Sequence, residues 1–184
     1  ARYVKEVGER YVDNIEVVLI YRNDRFLRGG DHTPYVQRGY AAVRFTEMNE
    51  NYTRQHQDVR IENGIQYGDL EAHIDYEYMR KNTGLNLANL ANLAKAPAIP
   101  DSVKMDVRRL SNTSFLYWQK SRTGKVKGYY VLVRETTSAL WQKKIFTTET
   151  EMRLPYSKDN YFFAVQSVNE TGNESLPVVP LPGR

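Results

Sequence analysis

The sequence predicts two units in tandem: an α/β domain with a mixed sheet and helices over residues 1–95, and an all-β sandwich over residues 101–184. Three observations indicate this division. Helical and strand-like patterns alternate in the first half, whereas only short segments of period two follow in the second. The segment 96–100 (APAIP) ends a helical pattern with two prolines and is typical of a linker. Most of the excess positive charge lies after that linker.

The first unit combines three predicted helices with two predicted strands. The strands are residues 15–21 (IEVVLIY), an almost continuous apolar run typical of a strand buried on both faces, and residues 41–45. The helices are residues 2–12, 31–37 and 75–95.

Three features of this unit carry further expectations. Asp31 is expected to cap the second helix. The polar connection 46–71 is much longer than an ordinary loop, so we expect it to be functional. The spacing in the third helix predicts a buried stripe formed by Tyr78, Met79, Leu87, Leu90, Ala91 and Ala94.

The second unit is predicted to be a seven-stranded sandwich that folds independently. Its strands are expected at residues 103–110, 115–119, 129–134, 141–146, 150–154, 161–168 and 175–179. Its core is expected to contain Leu116, Trp118, Tyr129, Val131, Tyr161, Phe163 and Val165.

Composition excludes several classes of protein. With 41% hydrophobic and 26% charged residues among 184, the chain has the composition of a globular protein, and no apolar run is long enough to predict a membrane span. The chain has no cysteine, so histidine and carboxylates are the only strong metal ligands available. The formal net charge of +4 is too small to indicate a nucleic-acid partner.

Two histidine–carboxylate clusters fall in loops that follow predicted strands, where α/β enzymes place their chemistry. One contains Asp31 and His32, and the other contains Tyr52, His56 and Asp58. A histidine in a polar loop can bind a metal or transfer protons. The residues alone leave an alternative open, in which Asp31 is only a helix cap and His56 is an ordinary surface histidine.

The order and spacing of three runs carry a family resemblance. The runs 30–35 (GDHTPY), 39–45 (GYAAVRF) and 55–58 (QHQD) resemble the C-terminal part of the catalytic domain of the co-catalytic zinc exopeptidases. That family includes aminopeptidase Y, glutamate carboxypeptidase and, by fold, the animal glutaminyl cyclases. The resemblance covers about residues 1–95, roughly the last third of such a domain. In the second half, Trp118 followed by residues 161–172 resembles a fibronectin type III domain.

The resemblance implies roles for three residues. His56 corresponds to the last ligand of a two-zinc site, and Asp31 corresponds to an acid that orients groups around the metals without binding them. Tyr52 is a possible oxyanion donor, because Gln55 stands where the family's tyrosine precedes the histidine. The other ligands lie upstream in the family. We therefore expect this chain to be inactive alone and to require the missing N-terminal part of the catalytic domain. His73 has no carboxylate pattern around it and is assigned a structural role.

The predicted function is that of a zinc-dependent aminopeptidase in which a metal-activated hydroxide cleaves the terminal bond of a peptide substrate. The resemblance also implies an extracellular or periplasmic location. Two alternatives stay open, namely a glutaminyl-cyclase-like acyl transferase with one zinc and a non-catalytic binding or structural module. The binding module would use a basic hairpin connection that could contact an acidic surface or simply be solvated, formed by Lys120, Arg122, Lys125 and Lys127.

Overall fold

The computed structural model describes residues 1–22 and 29–183. Helix α1 (Arg2–Tyr11) packs along the long helix α3 (Tyr76–Lys95), and Gly8 of α1 permits this close approach because a Cβ at that position would overlap the side chain of Leu85. The elements described in the first half are α1 (Arg2–Tyr11), α2 (Thr33–Gln37), the strands β1 (Arg60–Glu62) and β2 (Ile65–Tyr67), a short 3-10 helix (Glu71–His73) and α3 (Tyr76–Lys95).

The strands predicted at residues 15–21 and 41–45 are not formed. Neither segment pairs with another strand within residues 1–22 and 29–183. Side chains along residues 15–20 alternate between half-buried and exposed, and Val18 retains 49% of its exposure. An apolar strand needs partner strands for its backbone groups and a covering layer for its faces. The described part of this chain supplies neither, so it does not build the mixed sheet predicted for the first half.

The helices are close to their predicted bounds, although one expected cap is wrong. The residue that caps α2 is His32, without a side-chain hydrogen bond, and Asp31 lies in the preceding turn. The chain enters this helix through Thr33 and Pro34, and proline at the first turn needs no N–H partner. Helix α3 begins after Asp75, whose carboxylate accepts a hydrogen bond from the Tyr78 N–H at 2.9 Å.

The buried face of α3 is the opposite of the one expected from its apolar spacing. Leu87 and Leu90 are 64% and 66% exposed, whereas Leu85, Asn89 and Asn92 are buried. The asparagines are buried with their amide N–H groups paired: Asn89 Nδ2 donates to the Leu85 and Val4 carbonyl oxygens at 2.9 and 3.3 Å. The predicted stripe is thus left without a covering element in the described chain, as shown by the exposed members Tyr78, Met79, Leu87 and Leu90.

Two sheets pack face to face in residues 101–183 and confirm the predicted all-β sandwich. The order is β7-β4-β3-β9 in one sheet and β6-β5-β8 in the other, and every pair is antiparallel except β3 with β9. The strands are β3 (Asp101–Asp106), β4 (Ser114–Gln119), β5 (Gly128–Glu135), β6 (Lys143–Thr147), β7 (Glu151–Leu154), β8 (Tyr161–Val168) and β9 (Leu181–Gly183).

The last predicted strand is wrong in position. Residues 175–179 form no ladder, and two isolated bridges join β8 to this region through Glu174 and Val178. The next strand after β8 is β9, which pairs with β3.

The core between the sheets contains the aromatic and aliphatic residues expected from the alternation. The ring of Trp118 meets that of Tyr129 edge-on, with centroids 5.5 Å apart. Tyr161 is only half-buried and packs at the margin. The buried cluster consists of Val103, Leu116, Trp118, Tyr129, Val131, Val133, Leu154, Phe163 and Val165.

Buried polar contacts join the helices to the sandwich. The hydroxyl of Tyr3 and the Nδ2 of Asn92 both donate to the Glu174 carbonyl oxygen, at 2.8 and 3.0 Å. The Glu174 carboxylate pairs with Arg10 at 3.2 Å and with Lys144 at 2.6 Å. Burial raises the pKa of Tyr3 to about 12, against the opposing effect of its hydrogen bond with Asn92. The helices and the sandwich therefore share a desolvated polar interface.

The predicted linker is packed against the sandwich as well. Pro97 and Pro100 are buried, and Ala98 donates its N–H to the Thr123 carbonyl at 3.1 Å. The Ala98 carbonyl accepts a hydrogen bond from Ser167 Oγ at 2.6 Å. Segment 96–100 is thus held against the sandwich by its backbone hydrogen bonds and by its buried proline rings, while the independent folding of the sandwich stays a prediction.

Candidate active-site loop

The connection that follows residue 45 is folded around a hairpin that the sequence analysis overlooked. Strands β1 and β2 are joined by Asn63 and Gly64, which have φ of 52° and 77°. Positive φ at both central residues is the requirement of a type I′ turn, and Asn-Gly is its strongest sequence signal. Beyond the hairpin, Gly68 donates its N–H to the Thr53 carbonyl at 3.0 Å, which ties the hairpin to the turn that carries the candidate residues.

Glu50 anchors the first part of this loop. Its side chain is nearly buried, its Oε2 accepts a hydrogen bond from Gln55 Nε2 at 2.8 Å, and its Oε1 accepts one from the Thr46 hydroxyl. The Arg44 guanidinium lies 3.6 Å from the same carboxylate. A carboxylate removed from water needs such donors. Glu50 therefore fixes Gln55, and with it the backbone that leads into His56.

The three predicted site residues lie on the surface. His56 is exposed with a φ of 54°, Tyr52 is 61% exposed, and Asp31 is exposed in the turn before α2. Within the part of the chain that the structure describes, no three His, Asp or Glu side chains are grouped so that they could hold a metal ion. A catalytic zinc takes three protein ligands. The described residues therefore do not fit a zinc ion on their own, and the roles assigned to Asp31, Tyr52 and His56 stay predictions.

A cavity of about 500 Å³ opens between this loop and the 3-10 helix. The loop and the segment around the 3-10 helix each contribute two carboxylates to its lining, which contains one guanidinium. The cavity is therefore acidic. His73 lies on its wall, although the sequence analysis assigned that residue a structural role. The titratable side chains around it are those of Glu47, Glu50, Arg54, Asp69, Glu71 and His73.

The basic hairpin connection considered as a binding surface is partly neutralised within the chain. Arg122 pairs with Asp101 at 2.7 Å, and Lys127 lies 3.5 Å from Glu170. These pairs are exposed and contribute little to stability. They nevertheless satisfy two of its four cations locally, which favours the solvated-loop interpretation over an acidic partner.

None of the helices in the described residues combines the length and apolar character needed to cross a bilayer.

Known proteins similar to the whole chain are named for one activity. No protein-family model matches the sequence. The chain is 45% identical over 184 residues to a probable zinc metalloprotease of Leptosphaeria maculans, of which it covers 43%. It is 43% identical over 184 residues to a probable zinc metalloprotease of Pyrenophora tritici-repentis and 42% identical over 188 residues to one of Pyricularia oryzae, covering 38% of each. The chain thus spans about two fifths of the length of these curated relatives, whose names specify neither an exopeptidase nor a number of metal ions.

Solved structures similar to part of the chain contain β-sandwich modules. An Fn3-like protein from Clostridium thermocellum is 20% identical with a TM-score of 0.39, covering 48% of this chain and 96% of that protein. A fragment of titin is 26% identical with a TM-score of 0.38, covering 45% of this chain and 30% of that fragment. The assignment of the sandwich rests on the strand order of residues 101–183.

Proposed function

We propose that this chain is a fragment of a zinc-dependent aminopeptidase that contains the C-terminal part of its catalytic domain, and that the full-length protein hydrolyses the terminal peptide bond of a peptide substrate outside the cell. The observation that carries the proposal is the similarity of the whole chain to proteins named probable zinc metalloprotease. In this proposal His56 supplies one zinc ligand, and the remaining ligands come from the N-terminal part of the catalytic domain.

Uncovered apolar surface in the first half supports a missing partner segment. Val18 and Ile20 lie in a segment without partner strands, and Leu87 and Leu90 face outward from α3. Apolar side chains of this size normally contact a covering layer, and contiguous exposed patches mark interaction sites. The relatives are more than twice as long as this chain, so they contain the residues that could form such a layer. We propose that the N-terminal part supplies the missing strands and helices.

The acidic cavity supports an aminopeptidase rather than a carboxypeptidase. The amino terminus of a peptide carries a positive charge at neutral pH, whereas its carboxyl terminus is negative. Glu47, Asp69 and Glu71 on the cavity wall are exposed, and they favour the ammonium group because opposite charges attract. Recognition of a terminal carboxylate would instead require an excess of arginine or lysine.

The proposed roles of the other residues belong to the full-length protein. Asp31 would orient groups around the metals, and Tyr52 would donate to the oxygen that gains charge during hydrolysis. Because this chain provides only one of the proposed ligands, the chain alone is proposed to be inactive.

The decisive experiment compares two histidines in the full-length protein. His56→Ala is expected to lose bound zinc, measured by elemental analysis, and to lower turnover of an aminoacyl-anilide by orders of magnitude. His73→Ala is the matched control, because His73 lies on the cavity wall and is given no metal in the proposal. It is expected to retain all bound zinc.

Three results would contradict parts of this proposal. Equal and small effects of the two substitutions on bound zinc and turnover would show that His56 is an ordinary surface histidine and not a zinc ligand. One zinc per molecule, with glutaminyl cyclisation in place of peptide hydrolysis, would establish the acyl transferase. A full-length protein without zinc or peptidase activity would favour the binding module.

A further inference from the structure

Four Asn-x-Ser/Thr motifs occur in the chain, at Asn51, Asn112, Asn169 and Asn173, and none has proline at its middle position. This motif is the acceptor of N-linked oligosaccharides in proteins that pass through the secretory pathway. All four asparagines satisfy the motif, with threonine as the third residue at Asn51 and Asn169 and serine at Asn112 and Asn173. Their places in the fold are different.

Asn112 is an exposed residue in the connection between β3 and β4. Its side chain makes no hydrogen bond with any residue that the structure describes, whereas the hydroxyls of its neighbours Ser111 and Thr113 bond to each other at 2.9 Å. Both hydrogens of the Asn112 amide are therefore free to exchange with solvent. A sugar can replace one of them without breaking a contact of the folded domain.

The connection that carries Asn112 lies at the end of the sandwich opposite to the C-terminal end of α3. Strand β3 starts at Asp101, directly after the packed segment 96–100, and ends at Asp106. Six extended residues place these ends about 17 Å apart. Leu110 in the same connection is 95% exposed. An oligosaccharide on Asn112 would extend away from α3 and would shield this leucine.

Asn169 and Asn173 lie at the other end of the sandwich and use their amides in the fold. Asn169 Nδ2 donates to the Lys95 carbonyl at 2.9 Å and to Asn173 Oδ1 at 3.3 Å, so both of its hydrogens have acceptors. Asn173 Nδ2 donates to the Oδ1 of the buried Asn92 at 3.2 Å. A sugar at either nitrogen would replace a hydrogen-bonding proton and would occupy the space in which α3 packs.

We propose that Asn112 carries an N-linked oligosaccharide and that Asn169 and Asn173 do not. The proposal rests on the extracellular location given under the proposed function. In the transfer, the Asn112 Nδ2 forms a bond to the anomeric carbon of a lipid-linked oligosaccharide diphosphate. The bond between that carbon and the diphosphate oxygen breaks, the lipid diphosphate leaves with the bonding electrons, and the amide nitrogen loses one proton. Asn51 lines the acidic cavity and is not part of the proposal.

The test uses the full-length protein with its own leader, secreted by a eukaryotic host and mapped by mass spectrometry after peptide-N-glycosidase treatment. That enzyme converts a glycosylated asparagine to aspartate, so occupancy is measured at each motif separately. We expect conversion at Asn112 and none at Asn169 or Asn173. Asn112→Gln is expected to abolish that signal and to leave zinc content and peptidase activity unchanged.

A matched control tests whether the oligosaccharide depends on the motif and not on the hydrogen bond between its neighbours Ser111 and Thr113. Thr113→Ala changes the middle residue and keeps the acceptor asparagine and Ser114, so it is expected to retain the oligosaccharide. The proposal is overturned if Asn112 carries no oligosaccharide in the secreted protein. It is also overturned if the full-length protein stays in the cytosol. Conversion at Asn169 or Asn173 in folded, secreted protein overturns its second part. Zinc content and peptidase activity are separate readouts, so a failure of the proposed function is distinguished from a failure of this inference.

Discussion

The carboxylate of Glu174, in the turn that follows β8, lies 3.2 Å from the guanidinium of Arg10 on α1. The Glu174 side chain is only 5% exposed, and it also contacts the ammonium of Lys144 at 2.6 Å and accepts from Gln166 Nε2 at 2.6 Å. One buried carboxylate on the sandwich thus neutralises a cation from each half of the chain. The helices and the sandwich are therefore coupled by charge as well as by packing.

Glu174→Ala is expected to lower the free energy of unfolding by about 1.5–3 kcal/mol, because it leaves Arg10 and Lys144, which are 37% and 28% exposed, without the buried carboxylate they share. Urea unfolding of this chain measures the loss. Glu170→Ala is the matched control: Glu170 is a glutamate of the same turn with an exposed partner, Lys127, and its loss is expected to cost less than about 0.5 kcal/mol. Equal costs at both positions would show that the interface contributes no more than a surface ion pair.

Glu6→Gln is expected to stabilise the chain at pH 7 and to have no effect below about pH 4. Burial raises the pKa of the Glu6 carboxyl, with Glu174 adding to the rise and Lys144, Arg10 and Arg2 opposing it. A group with a raised folded-state pKa contributes its stability below the unfolded-state pKa, and this contribution is lost as pH rises through the folded-state pKa. Thermal unfolding of wild type and variant from pH 3 to pH 8 measures the difference.

The opposite dependence is expected for Glu9→Gln on the same helix. Burial acts to raise the pKa of Glu9, but hydrogen bonds from Lys5 and from the Val17 N–H, at 2.8 and 2.6 Å, outweigh it and lower the pKa. The carboxylate therefore stabilises the fold above its unfolded-state pKa, and this stabilisation disappears as pH falls through the lowered value. Glu9→Gln should destabilise at pH 7, with a difference that shrinks in acid. Parallel profiles for the two variants would contradict both assignments.

The sandwich could be predicted from the sequence because its signals are local. Alternation at Tyr129, Val131 and Val133 and the turns between strands depend only on neighbouring residues, and the core has these side chains inside. The strand predicted at residues 15–21 is not formed, because a strand exists only with a partner strand and no described segment supplies one. The local pattern shows that a segment can form a β-strand, whereas its pairing with another strand depends on the rest of the chain.

The interface and the candidate site were harder to predict, for two physical reasons. Asn92 is a polar residue on the face opposite to the apolar stripe, so periodicity alone assigns it to solvent, and its contacts with Tyr3, Asn173 and Glu174 explain its burial. The cavity wall at His73 depends on how the 3-10 helix meets the loop around Glu50, a contact between residues far apart in sequence. By contrast, the hairpin at Asn63 and Gly64 carried a readable turn signal that the sequence analysis did not use.

Trp118→Ala is expected to cost about 3–5 kcal/mol in free energy of unfolding, because the indole is 4% exposed and packs edge-on against Tyr129. Trp118→Phe is expected to cost less, since the indole N–H has no hydrogen-bond partner among the described residues and the phenyl ring keeps part of the contact. Leu110→Ala, at an exposed position, serves as the neutral control. Urea unfolding followed by tryptophan or circular-dichroism signals compares the three. A Trp118→Phe cost as large as that of Trp118→Ala would show that the indole N–H has a bonding role.

The chain is expected to be inactive when it is produced without the rest of the protein. Purified residues 1–184 are expected to bind no stoichiometric zinc and to release no product from an aminoacyl-anilide, because the described residues contain no group of three metal-binding side chains. Adding the separately produced N-terminal part of the catalytic domain should give a complex that binds zinc and restores hydrolysis, since that part is proposed to bring the remaining ligands and to cover Val18 and Leu90. The same mixture made with His56→Ala is the control, and it should form the complex with less zinc and without turnover. Co-purification, zinc content and product release separate assembly from metal binding and from chemistry. Stoichiometric zinc and hydrolysis in the chain alone would show that its own residues complete the site, and would contradict the assignment of the missing ligands to the N-terminal part.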